Sequence, residues 1–390
     1  MKIQNNIIAA IFWICSFALV HTYALYPAIL SIISRIVESD HQELPADLPT
    51  VSLVIAAYNE EDVIAEKIEN SIALDYPAEK LELIVFSDAS SDRTDEIVES
   101  YADEGVELIR VEGRVGKTEC QNVVAEQVGS EIIVFSDANS MYDPDAIREL
   151  IRGFGPSVDC VVGELRYSDD SDVDGESTYW RYERLIKRLE SKLGSIVTGN
   201  GSIYAVRTSS YVPLPRDAIS DFAEPLALIE NGSRIAYAPT AIARERTDQS
   251  VESELSRRVR IVTRSWNTLS DHTALLNPRQ YPVFSFKLFS HKVFRWLSPV
   301  FLVGALATSV VLTLVTRGLF YPVVLGFQIV FYLCALVGAI SDRVGRQVSS
   351  IFHIPYYFVV SNYGMGLALV NFLKQRNIVT WETAERAADD

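Results

Sequence analysis

Apolar positions along the chain follow two rhythms. In the middle, "TVSLVIAAYNE" (50–60) is a continuous apolar run that reads as a strand buried on both faces, and "EEDVIAEKIENSIAL" continues it with helical spacing. The alternation repeats through strand "LELIVFSD" and helix "SDRTDEIVESYAD", which Ser91 or Asp92 is placed to cap. Strand "VELIRV", helix "GKTECQNVVAEQV", strand "EIIVFSDAN" and helix "DPDAIRELIRGF" follow. Strands alternating with helices predict an α/β domain whose parallel sheet is covered on both faces. Beyond it come an acidic loop "SDDSDVDGES", a long amphipathic helix over about 176–193, "VTGNGSIYAVR", "ISDFAEPLALIENG", a strand "RIAYAPTAIARE" and a basic helix "SRRVRIVTRSW".

At both ends the alternation gives way to uncharged apolar runs. Residues 3–34, 296–316, 318–341 and 347–373 contain no Asp, Glu, Lys or Arg. A helix of about 20 mostly apolar residues crosses a bilayer, and the first run is too long for the apolar part of a signal peptide. We read it as a retained membrane helix, and 296–316 with 318–341 as a membrane hairpin. The run 347–373 is polar enough to be either a full span or a re-entrant segment. "FSFKLFSHKVFRWL" sets Lys287, Lys292 and Arg295 among aromatic residues, as in a helix lying at the membrane interface with its basic heads reaching toward phosphates. The expected organisation is a membrane helix (1–36), a catalytic-size α/β domain (48–272), an interfacial helix (280–296), further membrane helices (297–373) and a tail (374–390).

Charge sharpens this division. Of 51 acidic and 35 basic residues in the 390, residues 36–279 hold 46 and 24, a net of −22, and the rest hold 5 and 11, a net of +6; together they give −16. So acidic a domain repels nucleic-acid phosphates and excludes that class of partner. The four cysteines show no CxxC or metal spacing and fit a reducing compartment. Arg35, just after the first helix, predicts that the acidic domain faces the cytoplasm of a multi-pass plasma-membrane protein, with the N-terminus outside.

The first strand-to-helix turn, "AAYNEE", contains no glycine, so a G-x-G-x-x-G dinucleotide site is absent, and "VGKT" lacks the upstream glycine of a phosphate-binding P-loop. What stands at the strand ends instead is carboxylate. "VFSD" delivers Asp88 and, further on, a second "VFSD" delivers Asp137, followed by Asn139 at i+2. On an extended chain those two would share a face, at the sheet rim where ligands bind in open α/β folds. Asp137 with Asn139 fits a hard divalent cation bridging phosphates, and Lys117 at a helix start adds charge where the helix dipole favours an anion. Each acid alone is equally readable as a cap or turn residue.

"VSLVIAAYNEE", "FSDASSDRT", "RVGKTECQN", "FSDANS", "TGNGSIYAVR" and "ISDFAEPLAL" resemble, in order, the motif series of family 2 membrane glycosyltransferases, the group of the cellulose, hyaluronan and poly-N-acetylglucosamine synthases. The resemblance covers about 50–265. It implies a GT-A fold flanked by transmembrane helices, with a UDP-sugar donor and Mg²⁺ or Mn²⁺. By motif position, Ala57, Tyr58, Glu60 and Asp88 would line the nucleotide pocket with Lys117 near it, and Asp137 would ligate the metal. Asn139 replaces the usual second Asp of D-x-D and brings no charge. Asn200 and Gly201 would border the acceptor pocket, and Asp221 would be the general base, with Glu224 next in line. Where processive synthases carry QxxRW, this chain has "RRVRI". Arg257 stands for Gln and Ile261 for Trp, while Arg260 keeps the cation for the diphosphate. "VTWETAER" resembles some members' tails, with Trp381 and Arg386 as gating contacts. The expected activity is inverting sugar transfer to a growing polysaccharide. The alternatives are single transfer to a polyprenyl-phosphate lipid and, in another class, a nucleotide-binding membrane sensor or transporter.

Overall fold

The computed structural model describes residues 2–37, 43–167, 174–246, 251–346 and 349–375. Most of the acidic loop and the tail with Trp381 and Arg386 lie outside these residues. Eight strands form one sheet: β1 (Val51–Ala57), β2 (Leu81–Ser87), β3 (Val106–Arg110), β4 (Ile132–Asp137), β5 (Met141–Tyr142), β6 (Val158–Tyr167), β7 (Ile203–Arg207) and β8 (Arg234–Glu245), in the spatial order β3-β2-β1-β4-β7-β6-β8-β5. The parallel expectation holds for β3-β2-β1-β4. It fails beyond β4. There β7 runs antiparallel to both β4 and β6, β8 is parallel to β6, and β5 is antiparallel to β8. The sheet is mixed.

All seven residues of β1 are buried, as a strand covered on both faces requires. Val54 and Ala56 face one apolar cluster, and Leu53, Ile55 and Ala57 face the other, in the two-residue period of a strand. The second cluster is closed by the helices Ile64–Ile72 and Ala146–Arg152. The first is closed by Phe222 and Leu226 of the helix Ser220–Glu230 and, beyond the domain, by Trp296, Met365 and Ala368. One face of the sheet therefore packs against the C-terminal helices.

Three helical runs, Ile3–Ile33, Ser298–Val315 and Phe320–Arg343, have the length and composition to cross a membrane. A fourth helix, Ser350–Leu373, is unbroken over 24 residues, including Pro355. Its length suffices to span, whereas its composition sets it apart from the three runs above.

The expected interfacial segment is helical from Pro282 to Trp296, but its basic heads do not reach outward. The Lys287 side chain is buried, and its Nζ donates to the carbonyls of Glu190 (2.8 Å), Leu193 (3.1 Å) and Ser195 (2.9 Å). Those oxygens lie at the end of the helix Asp174–Lys192 and just beyond it, where intrahelical donors run out. Arg295 donates to Glu183 Oε2 (2.6 Å). His291 pairs with Glu183 Oε1 (2.9 Å) and Glu190 Oε1 (2.8 Å). Tyr26 of the N-terminal helix donates to the same Glu190 oxygen, and Tyr182 donates to the Thr22 carbonyl (2.8 Å). The acids that turn these bases inward lie on the 174–192 helix, more than 90 residues earlier in the chain.

Lys287→Met keeps the volume and removes the three donors. It is expected to destabilise the detergent-solubilised protein by on the order of 2–4 kcal/mol, read as a lowered thermal unfolding midpoint. An unchanged midpoint would show that water already serves those carbonyls.

Candidate active site

The strand order reverses at β1, which has β2 on one side and β4 on the other, and ligands bind at the carboxyl ends of strands at such a point. Ala57 pairs with Ser87, and Ala56 with Asp137, so the ends of three strands meet there. Because β7 runs antiparallel to β4, with Ile203 opposite Ser136, it brings the loop before it, 198–202, to the same rim.

Asp88 is buried, and its carboxylate is engaged by the chain itself. Oδ1 accepts from the N–H of Val115 (2.7 Å), and Oδ2 from the N–H of Gly116 (3.1 Å). Gly116 adopts φ 99°, which favours glycine. Asp88 thus shapes the loop that leads into Lys117, the first residue of the helix Lys117–Ala125. Ala57 is a core residue. Its methyl is sealed in, and its carbonyl accepts from the Asp88 N–H (3.1 Å), so it supports Asp88 from behind. Tyr58 lies at the rim with the Arg114 guanidinium 3.7 Å above its ring. Glu60 fixes the start of the next helix through its carbonyl, which accepts from Val63 and Ile64, while its own N–H donates to Thr94 Oγ1. The N-cap of the helix Thr94–Glu99 is Arg93 and not Ser91 or Asp92; Asp92, one residue earlier, accepts from the Thr94 N–H (3.0 Å) and hydroxyl (2.6 Å).

Lys117 crosses the rim to pair with Asp137 Oδ1, and its Nζ also donates to the Gly201 carbonyl (3.3 Å). A methyl on Gly201 would sit 3.3 Å from Lys117 Nζ, 3.9 Å from Asp221 Cβ and 4.0 Å from Asp137 Oδ2. Three residues from three separate elements therefore converge on one glycine. Asp137 is the last residue of β4, and the chain turns immediately, closed by the Ser140 N–H to the Asp137 carbonyl (3.2 Å). Asn139 lies in that turn, so the strand geometry expected to align it with Asp137 does not apply. Among the described residues, no group of three or more His, Cys, Asp or Glu forms a metal cage. What Asp137 holds here is the Lys117 ammonium.

Asp221 is in the first turn of the helix Ser220–Glu230, whose N-cap is Ile219, so the capping alternative for its side chain is excluded. Four residues on stands Pro225, which has no N–H to give the Asp221 carbonyl. The Gly199 N–H takes its place at 2.6 Å. A Cβ on Gly199 would lie 2.8 Å from that oxygen, so glycine is needed for the approach. Lys187 Nζ donates to the Gly199 carbonyl from the other side (3.0 Å).

A cavity of about 400 Å³ opens beside Asp221, Gly199 and Asn200. Lys187, Arg257 and Arg258 stand in its walls, and Tyr23, Ile354, Phe358 and Met365 of the first and last helices close it. Its lining holds six basic residues (Arg184, Lys187, Arg257, Arg258, Lys292 and Arg295) against three acidic ones (Glu164, Glu183 and Asp221). That cationic excess contrasts with the domain's net negative charge.

Two expected residues are elsewhere. Arg260 is not in the cavity lining and sits electrostatically beside Arg264. Glu224 is fully buried next to Cys160, Tyr204 and Tyr211, and burial pushes its carboxyl up to about 8, opposed by the Tyr204 hydroxyl. A buried acid held protonated is not an available base. Sequence reading passed over Lys67, Lys187, Glu245 and Arg258, which all border this region. Arg258 donates to the Tyr357 hydroxyl (2.9 Å). Its position next to Arg257 was the available signal.

Two predictions follow from these contacts. Glu224 binds its proton more tightly folded than unfolded, so its contribution is full below about pH 4.5 and is lost as pH rises through about 8. Glu224→Gln should flatten that loss, on the order of a few kcal/mol, in thermal unfolding between pH 5 and 8; an unchanged slope sinks the assignment. Pro225→Ala restores an N–H that competes for the Asp221 carbonyl. Amide exchange in 198–202 should then accelerate while the unfolding midpoint does not fall. Unchanged protection at Gly199 would rule out the competition.

Comparison with known proteins bears on the family and the fold. Residues 52–211 match the family model described as Glycosyl transferase family 2. Among curated relatives, poly-beta-1,6-N-acetyl-D-glucosamine synthase of Staphylococcus epidermidis is 29% identical over 174 residues, 43% of this chain and 41% of the relative. The protein of the same name from Staphylococcus aureus (strain MSSA476) is 26% identical over 249 residues, 61% of this chain and 60% of the relative. The chain thus spans about 41–60% of the length of these relatives. A solved structure, the mannosyltransferase PcManGT from Pyrobaculum calidifontis in complex with GDP-Man and Mn²⁺, has a TM-score of 0.73 at 19% identity, covering 96% of this chain and 99% of that one. The likeness confirms the GT-A-like fold with its flanking helices. Residues 52–211 are a family 2 glycosyltransferase domain, carried between helices of membrane-spanning length.

Proposed function

We propose that the chain is a membrane-embedded inverting glycosyltransferase that moves a sugar from a UDP-sugar to a growing polysaccharide. The observation that carries this is the convergence of Lys117, Asp137 and Asp221 on Gly201, at one end of a cavity leading to the C-terminal helices. Relatives named as polysaccharide synthases support the acceptor class. In this reading the catalytic domain is cytoplasmic, with the nucleotide near Tyr58, Glu60 and the loop held by Asp88.

A sugar hydroxyl is a weak nucleophile, and a placed carboxylate accepts its proton as it attacks. Asp221, in the cavity lining, takes that role. The acceptor oxygen bonds to the anomeric carbon, the bond to the diphosphate breaks, and configuration inverts. Lys117 offsets charge on the departing diphosphate. Mg²⁺ or Mn²⁺, held by Asp137, would supply the remaining positive charge there. The fit is adequate on this structure, because Asp137 is one-third exposed and already holds a cation, the Lys117 ammonium.

The cavity supports a second reading, transfer to a polyprenyl-phosphate lipid. It combines a cationic excess with an apolar wall of helix residues, and Ile261 lines it where processive synthases carry Trp. Washed membranes given labelled UDP-sugars, with GDP-mannose as the alternative donor, decide between the two. A ladder of rising length supports the polymer, and an organic-extractable product supports the lipid. No transfer from any of these donors would overturn the proposal.

Asp221→Asn keeps shape but does not accept a proton at neutral pH. It is expected to bind UDP nearly normally and to lose transfer by about 10²–10⁴-fold. Near-normal transfer by this variant would place the base on another residue.

A further inference from the structure

Two loops meet at Asp137: the turn that follows it and the loop 198–202. Glu245, the last residue of β8, is buried between them. Its Oε1 accepts from Ser140 Oγ and from Ser202 Oγ, each at 2.5 Å. Ser202 Oγ also lies 3.3 Å from Asp137 Oδ2. A hydroxyl has one hydrogen to give, and the shorter contact places it on Glu245. Lys67, fully buried, fixes the same turn from the other side. Its Nζ donates to the Ser140 carbonyl (2.5 Å) and lies 3.8 Å over the Tyr142 ring.

We infer that Glu245 is a positioning residue for the cation site. By holding the Ser202 hydroxyl hydrogen it leaves Asp137 Oδ2 open to an incoming divalent cation, and by tying Ser140 to Ser202 it keeps the turn and the 198–202 loop in register. This rests on the reading that Asp137 binds such a cation. Without Glu245, the Ser202 hydroxyl would turn to Asp137 Oδ2, and an arriving cation would have to displace it. Arg257, on the following helix, acts on the Glu245 charge. The residue thus joins the cation seat, the 198–202 loop and the cavity wall.

The test is Mn²⁺ binding to the detergent-solubilised full chain with UDP present, read from loss of the free-ion electron paramagnetic resonance signal. Partners that orient a metal ligand typically contribute about 10–100-fold in affinity. Glu245→Ala should therefore weaken Mn²⁺ by about tenfold or more. Glu245→Met, which fills a similar volume without an acceptor, should do the same where the smaller residue fails to fold. Adding Ser202→Ala to either variant removes the competing hydroxyl and should restore binding. Glu245→Gln keeps an acceptor oxygen and should bind close to the unaltered protein. Unaltered Mn²⁺ affinity in the Ala and Met variants overturns the inference. So does a loss that Ser202→Ala leaves uncorrected, or an equal loss in Glu245→Gln, which would make the charge itself the cause. Asp137→Ala separates the two levels. If it binds Mn²⁺ normally, the cation reading fails and this inference with it. If it loses the ion while Glu245→Ala does not, only the inference fails.

Discussion

The hydrogen bond from the Gly199 N–H to the Asp221 carbonyl is the contact on which the site's geometry turns. It exists because Pro225 cannot occupy that carbonyl from within the helix, and because Gly199 has no side chain to hold the loop away. With that bond in place, the loop 198–202 brings Gly201 between Lys117, Asp137 and Asp221. The residues concerned come from the middle of the chain and from two strands' connections, so a local defect at Pro225 or Gly199 would be felt at the cation seat as well as at the base.

The parallel half of the sheet was legible because β1, β2 and β4 are apolar runs and each strand there, the short β3 included, is followed by a helix-like segment. The antiparallel half was not. Strand β7 is only five residues, and nothing in "SIYAVR" shows whether it runs with or against its neighbour. That direction mattered, since it carries the TGNGS loop to Asp137. The alignment of Asp137 with Asn139 failed for a similar reason: an apolar run announces a strand but does not say on which residue it stops. Asp221 and Lys117, singled out by their motif positions, do come together beside Gly201. Asp88 was read as a ligand group, whereas its oxygens are engaged by the Val115 and Gly116 amides, contacts that span a loop and leave no periodic trace.

Buried charge was the least legible feature. Lys67, Lys187, Glu245 and Lys287 look like ordinary surface residues in sequence, because a charged residue is usually exposed. Each has partners distant in sequence, and only the fold reveals that its desolvation is offset. Lys287, Lys292 and Arg295 illustrate the error most clearly. Their spacing among aromatics suits an interface helix, yet the acids on the 174–192 helix draw them inward.

The knot of Tyr26, Glu190, His291, Glu183 and Arg295 also bears on how far the reaction stands from the membrane. The N-terminal helix is joined to the α/β domain by hydrogen-bonded, buried side chains, in addition to the covalent stretch between 34 and 50. With that helix in a membrane, height above the lipid would be set by this joint, much as a keyed shaft fixes a wheel, and lengthening that stretch would leave it unchanged. In the proposed reaction, an acceptor would come to Asp221 at this fixed level. In that reading, any advance after a bond is formed would be a movement of the acceptor past the protein, with the domain holding still.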